Sequence, residues 1–274
     1  MFVKNFLSKL RRLAVDTGER YYPVGSFEEL DATHTTDYIF AQRFIESSVV
    51  LDAGCGCGFG CEYLATKGAK YVVGIDISSK AVKFARTYYN AANLDFMIMD
   101  VRHLGFRDGS FDVIVSFEVI EHLYDTKNYL FEISRVSRTD GVCIISTPNK
   151  RISSPRLKKP ILPFHVQEFY PEDLYALHRQ YFKEASILGK CISNEKIRRK
   201  EQNFRKGLRF NVIARLSQHE SIRSLARVLP IRVKRIFTGS KEAGLKSRDF
   251  QISAEGVESA PYLLVICKKN KMMK

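Results

Sequence analysis

The residues best equipped for chemistry stand at the ends of short apolar runs. Val49-Val50-Leu51-Asp52-Ala53-Gly54-Cys55-Gly56-Cys57-Gly58 sets an acid before glycines at every second position. Later runs also close on acids or lead into them: Tyr71 to Asp76, Asp95 to Asp100, and Phe111 to Ser116, which continues into Phe117-Glu118-Val119-Ile120-Glu121-His122. His165 follows in His165-Val166-Gln167-Glu168-Phe169. Glycine is needed where backbone turns sharply and a ligand must approach without a Cβ in the way, so residues 54–60 are expected to form a ligand cradle. A dinucleotide cradle has glycines at relative positions one, three and six. Counted from Gly54 the sixth position is Phe59, and from Gly56 it is Cys61, so that pattern fails. Asp52 would repel a phosphate and suit a cationic ammonium. Asp76 lies 22 positions beyond Gly54, where nucleotide-binding α/β folds keep an acid for ribose hydroxyls.

The elements that must position these groups follow from the same runs. Apolar, β-branched stretches read as buried strands, expected at Val49 to Leu51, Tyr71 to Asp76, Asp95 to Met99, Phe111 to Ser116, Gly141 to Ser146, Tyr181 to Gly189 and Tyr262 to Cys267. Between them, Cys61 to Lys67 reads as a helix, and Ser78 to Tyr89 as another with Ser78 at its N-cap. Strands alternating with helices predict a mostly parallel sheet that binds ligands at the carboxyl ends of its strands.

The D-x-G-x-G-x-G loop with Asp76 downstream resembles motif I of class I S-adenosylmethionine-dependent methyltransferases. The resemblance implies a Rossmann-like α/β fold, a seven-stranded mostly parallel sheet with helices on both faces, here with a basic helical insertion between the last two strands. It implies S-adenosylmethionine as cofactor, contacted by Asp52, Gly54, Gly56, Gly58, Asp76, Ile77, Asp100, Val101 and Phe117. Within that set, Asp100 would take the adenine amino group and Val101 would offer its backbone to the ring. The segment Phe117 to Leu123 would run along the sulfonium and the incoming substrate. Ser146-Thr147-Pro148-Asn149-Lys150 and Phe164 to Leu174 resemble a subgroup of these enzymes, type 11/23-like with an HVxEF motif, often associated with polysaccharide or lipid-glycan pathways. Thr17 to Pro23, His34 and Tyr38 to Ala41 match the same subgroup. The likeness spans roughly residues 16 to 190 and is specific for the cofactor, much less for the acceptor.

On the acceptor side, His165 is the candidate general base, because an imidazole can take a hydroxyl proton near neutral pH; His122 is the second catalytic candidate. A structural role for His165, tethering its loop to Glu168 or a backbone carbonyl, competes with catalysis. Glu118, Glu121 and His122, completed by His165, resemble the metal site of small-RNA 2′-O-methyltransferases. Nearly the same Val-Ile-Glu-His-Leu string also looks like that of methyltransferases needing no metal, and hydrogen bonds can satisfy such groups instead. The reading therefore assigns no metal and makes the cluster pocket lining plus a polar patch facing substrate.

The chain's 274 residues suffice for a full core, and no apolar run reaches the length of a membrane span. Met1 to Ala14 does not read as a signal peptide, since Lys4, Lys9, Arg11 and Arg12 interrupt it; Phe2, Val3, Phe6, Leu7, Leu10 and Leu13 recur at helical spacing. The domain expectation is a basic amphipathic helix at 1–15, the catalytic core at 16–190, a basic helical lid at 191–249 and the last strand at 250–274. Six cysteines show no second CxxC or histidine pair, so they read as reduced thiols filling small positions. From Lys190 to Arg248, 17 basic residues face four acidic ones, +13 of the chain's +14. Leu208 to Leu229 reads as an amphipathic helix ended by Pro230, and such charge blocks are often interaction segments. Three phenylalanines for base stacking and no RNA-binding module weigh against nucleic acid. The expected function is methyl transfer to an oxygen of a sugar, glycolipid or small hydroxylated acceptor, in the cytoplasm, with an anionic membrane surface as a further contact of the insertion. The alternatives are a metal-dependent RNA 2′-O- or quinone-type O-methyltransferase, and a non-catalytic S-adenosylmethionine-binding partner of a membrane or complex.

Overall fold

A computed structural model describes residues 32–195, 198–199, 203, 214–221 and 246–269. The helix expected at 1–15, the 17–23 motif and most of the 208–229 helix lie outside the described residues. The first strands are β1 (Val49–Ala53), β2 (Tyr71–Asp76), β3 (Leu94–Ile98), β4 (Phe111–Phe117) and β5 (Ser137–Pro148). They are followed by β6 (Glu184–Ile192), β7 (Phe250–Ser253) and β8 (Tyr262–Lys268). All eight form one sheet in the order β3-β2-β1-β4-β5-β8-β6-β7. The pairs from β3 to β5 are parallel, whereas β8 runs antiparallel to both β5 and β6. The sheet thus has the mostly parallel, doubly wound character that the alternating elements predict.

The strand count differs from seven. Phe250–Ser253 pairs antiparallel with β6 as an extra edge strand, and only four residues long, it gives almost no periodic signal. β6 also starts later than Tyr181, because the backbone N–H groups of Tyr181 and Phe182 both donate to the His178 carbonyl and close the preceding helix.

Alternation along the strands sends neighbouring residues to opposite faces. Val50, Val72 and Val113 join one apolar cluster and Leu51, Val73 and Ile114 the other. The first face is covered by α1 (Ala32–Ala41), α2 (Phe59–Thr66) and α3 (Ser79–Tyr88), through Tyr38, Leu64 and Val82 among others. The opposite face is covered by α4 (Thr126–Val136) and α6 (Pro171–His178), through Tyr129, Leu130, Ile133 and Leu174; a short α5 (Lys150–Ser153) follows β5. Ser78 caps α3 as expected, accepting from the Ala81 N–H. Among the described residues no helix is long and apolar enough to cross a membrane.

Candidate cofactor and acceptor site

The order β3-β2-β1-β4 puts the ends of these parallel strands side by side, and the chain reverses direction of progress between β1 and β4. Crevices at such switch points are where open α/β sheets bind ligands. The glycine loop occupies this place. The N–H groups of Gly54 and Cys55 both donate to the Ile75 carbonyl at 2.8 Å, which fixes the loop onto the end of β2. Gly54 and Gly56 have φ of +94° and +55°, values that side chains other than glycine rarely adopt. Their surroundings differ. A Cβ on Gly54 would lie 2.4 Å from a Val119 methyl, whereas one on Gly56 would meet nothing within 4 Å. Gly58 also has a positive φ and caps α2.

Asp76 sits at the carboxyl end of β2 and accepts from the N–H groups of Gly56 (3.0 Å) and Ser78 (2.8 Å), one at each oxygen. Ile77 beside it is exposed. One strand further, Asp100 is held by Arg102 in a two-pronged ion pair, and that guanidinium pulls its carboxyl below the ordinary range. Val101 is buried. Asp76-Ile77 and Asp100-Val101 therefore occupy adjacent strand ends beside the loop, as the sequence predicts.

Asp52 and Phe117 stand elsewhere than a simple pocket wall. Asp52 is fully buried beneath the loop. Its Oδ2 accepts from the Tyr38 hydroxyl at 2.9 Å and from the Cys61 thiol at 3.1 Å, while its Oδ1 is buried with no hydrogen-bond partner. Burial pushes its pKa up to about 6 despite those two donors. An ammonium could reach this acid only through Oδ1. Phe117 is likewise buried, edge-on to Tyr38 with ring centroids 4.9 Å apart. Tyr38, which the sequence marks only as part of a matching segment, thus roofs both groups. Cys61 is more than filler, since it is one of the two donors to Asp52. All six cysteines are free thiols.

At the acceptor end, Glu118 has a left-handed φ of +55°, unusual for a residue with a side chain, and its N–H donates to the Ser146 carbonyl. A single 3-10 turn, Ile120–His122, follows. The Glu121 carbonyl accepts from the N–H groups of Val166 and Gln167, which brings the 165–168 segment against this turn. Glu121 is fully buried: Oε2 accepts from the Thr147 hydroxyl at 2.9 Å, and Oε1 has no hydrogen-bond partner. His165 Nδ1 lies 2.8 Å from Glu168 Oε1, and the other Glu168 oxygen accepts from the hydroxyls of Ser153 and Ser154. His165 is thus tethered to Glu168, as the structural reading expects, and it faces His122, ring centroid 5.0 Å away. Burial alone would lower the His165 pKa, but Glu168 and Glu121 outweigh it and the net shift is upward.

Behind this cluster runs a line of buried charge that the sequence does not announce. Lys190 on β6 and Asp37 on α1 are both fully buried and paired, with Lys190 Nζ 2.7 and 2.8 Å from the two carboxylate oxygens and also donating to the Thr33 carbonyl. The Ser146 hydroxyl lies 2.9 Å from Asp37 Oδ2 and 3.1 Å from Glu118 Oε1. One hydroxyl carries one proton, so a bond to each acid requires Glu118 to be the donor in the second. Burial and the neighbouring Glu121 favour that protonated form, pushing Glu118 up to about 8. The signal for this network is a hydrophobic-strand lysine and a helix acid 153 residues apart, a pairing no local pattern reveals.

Of the basic insertion, residues 191–195, 198–199, 203, 214–221 and 246–249 are described. Ala214 packs on Ile161 and Leu157, and Gln218 and Glu220 bond Lys159. Residues 214–221 therefore rest on the loop that leads into His165.

A family model described as a methyltransferase domain matches residues 51–145, from β1 through most of β5. A "probable S-adenosylmethionine-dependent methyltransferase" of Mycobacterium tuberculosis is 38% identical over 128 residues, 47% of this chain and 46% of that protein. A ubiquinone biosynthesis O-methyltransferase of Neisseria meningitidis is 32% identical over 122 residues, 43% of this chain and 51% of that protein. The matched region is about half the length of these curated relatives. Over nearly its whole length the fold is similar to a crystal structure from Thermotoga maritima described as a SAM-dependent methyltransferase and possible histamine N-methyltransferase (TM-score 0.57, 13% identity, 97% of each chain).

Proposed function

We propose that this chain, whose residues 51–145 form a class I S-adenosylmethionine-dependent methyltransferase domain, transfers the methyl group of S-adenosylmethionine to an oxygen of a hydroxylated acceptor. The observation that carries the reading is the open Gly56, a left-handed turn with room where its side chain would be, joined by its N–H to Asp76. That is how a backbone makes space for a ligand while placing an acid beside it. In this reading Gly54, Gly56 and Gly58 cradle the aminoacyl end and Asp76 takes the ribose hydroxyls. Ile77, Asp100 and Val101 line the adenine. Asp52 supports the loop from below through Tyr38 and Cys61.

The cofactor supplies an electrophilic methyl carbon on sulfur, and displacement there depends above all on aligning the incoming oxygen with it. The acceptor hydroxyl is proposed to lie against His122 and His165, beyond Glu118, where the two imidazoles assist loss of its proton. The ubiquinone-pathway relative is by name an O-methyltransferase, which supports oxygen as the atom methylated. A sugar or glycolipid is the acceptor class we favour, because the Ser146–Lys150 and Phe164–Leu174 motifs resemble glycan-associated enzymes. The basic insertion, resting on the loop before His165, would serve as its lid and offer positive charge to an anionic acceptor or membrane surface.

Calorimetric titration with S-adenosylhomocysteine tests the reading. Saturable heat from the folded wild-type chain, greatly reduced in Asp76→Ala, is expected; no heat from folded wild type would sink it.

A further inference from the structure

We propose that Arg156 and Lys158, together with Arg215 and Leu216, dock this chain on an anionic lipid bilayer. The docking stands on the surface alone. Its purpose, bringing a lipid-borne acceptor to the site, rests on the methyltransferase reading above and narrows the acceptor class to its glycolipid member.

Residues 150–159 read Lys-Arg-Ile-Ser-Ser-Pro-Arg-Leu-Lys-Lys, with five basic residues and no acid. Their place follows from β5, which is parallel to β4 and ends at Pro148, on the side where the proposed site lies. The chain then passes through α5 to Ser153 and Ser154, whose hydroxyls donate to Glu168, the residue that holds His165. The cations that come next therefore follow directly on the acceptor end. Arg151 is occupied by Glu172 and Glu258, and Lys159 by Glu220. Arg156, Lys158 and Arg215 are exposed and pair with no acid among the described residues. Arg156 also has a left-handed φ of +60°, uncommon for a residue with a side chain. A long cation kept at a turn that glycine would take more easily calls for a use outside the fold, and an anionic partner supplies one.

A second segment completes the surface. Ala214 packs on Ile161 and Leu157, while Gln218 accepts from the Lys159 N–H and donates to the Lys159 carbonyl. Arg215 and Leu216 are thereby fastened to the same loop as Arg156 and Lys158, and Leu216 is 41% exposed. Cations around an apolar side chain match a bilayer surface, where headgroup phosphates meet the charges and the leucine enters between them. Single-stranded nucleic acid is held by stacking on aromatic rings, and the exposed apolar side chain here is a leucine. The chain's net charge of +14 adds attraction to the surface at long range.

The test sediments the full chain with vesicles of phosphatidylcholine alone and of phosphatidylcholine mixed with phosphatidylglycerol. Binding is expected to the anionic vesicles only, and to weaken as salt rises. The double variant Arg156→Glu, Lys158→Glu should bind them roughly 10–100-fold more weakly, and Leu216→Ser about threefold more weakly. The control is Lys67→Glu with Lys70→Glu, which changes net charge equally. Both lysines are exposed and precede β2, at the opposite end of the parallel strands, so this variant should bind nearly as wild type does. All these side chains lie at the surface, so the variants should fold. Wild type that ignores anionic vesicles, or a loop variant that binds no more weakly than the control, would overturn the proposal. Retention of single-stranded RNA in place of vesicles, lost in the Arg156, Lys158 variant, would overturn it in favour of nucleic acid. Titration of the same protein with S-adenosylhomocysteine keeps the two readings apart. Cofactor heat without vesicle binding removes the docking surface and leaves the methyltransferase reading intact. Vesicle binding without cofactor heat does the reverse.

Discussion

The proposed cofactor and acceptor ends of the site handle their acids in opposite ways. At the cofactor end, Asp76 accepts from two backbone N–H groups and Asp100 pairs with Arg102, so both carboxylates are held by partners two to 20 residues away. At the acceptor end, Glu118 and Glu121 crowd each other and both are pushed upward by burial. Their partners come from β5, the 165–168 segment and, behind them, α1 and β6. The cofactor end is therefore a local structure that any chain with the right loop can make. The acceptor end depends on the whole sheet being assembled.

The largest effect should come from breaking the acceptor-end charge line. Lys190→Met leaves Asp37 buried without its cation, and losing one member of a buried pair typically costs about 3–5 kcal/mol. Urea unfolding should show that loss, and Lys190→Met with Asp37→Leu should recover most of it. Equal stability of the single variant and wild type would mean that the line is not a structural dependency of this end.

Asp52 is the exception within the cofactor end, since it is buried and raised like the acceptor-end acids. Its folded carboxyl holds a proton up to about pH 6 against an ordinary 3.8, a difference of about 3 kcal/mol at 1.36 kcal/mol per unit. A group raised on folding contributes stability that is fully present below about pH 4 and is lost as pH rises through 6. Unfolding midpoints of Asp52→Asn and wild type should therefore diverge in the variant's favour between pH 4 and 7. Parallel curves would show that Oδ1 has found a partner.

Asp76 sharpens the contrast on the binding side. Hydrogen bonds to a charged group are worth about 1.5–3 kcal/mol, so Asp76→Ala should weaken S-adenosylhomocysteine by roughly 10–100-fold in calorimetry. Asp76→Asn, which keeps an acceptor for one of the two N–H groups, should lose less. Unaltered affinity in both would detach Asp76 from the ribose.

How much of this was readable in the sequence follows the same division. Residues 49–60, 71–77 and 95–101 are contiguous, and their strand-acid or strand-glycine pattern is dictated by local backbone needs, so loop, acids and parallel strands could all be placed from it. His122 and His165 could be named because they lie in compact motifs, and the Glu168 tether, three residues from His165, was local enough to name with them, but nothing local says that Thr147 holds Glu121. Asp37 and Lys190 were invisible for a stronger reason. A buried ion pair across 153 residues leaves an ordinary lysine in one segment and an ordinary acid in another. The depth of Asp52 was not legible either, because Tyr38 closes over it from a helix that the glycine motif does not include.

The smallest stability effect should accompany a clear binding effect, at Gly56. A Cβ there meets nothing within 4 Å, so Gly56→Ala should cost only the left-handed backbone strain, roughly 1–2 kcal/mol. Gly54→Ala adds a collision with Val119 at 2.4 Å and should destabilise more. If the open space at Gly56 is reserved for cofactor, its alanine variant should fold with a modestly lower melting temperature yet lose S-adenosylhomocysteine heat. Undiminished binding by folded Gly56→Ala would mean that the ligand does not approach the loop there, and the open turn would lose its place as the observation on which the cofactor reading rests.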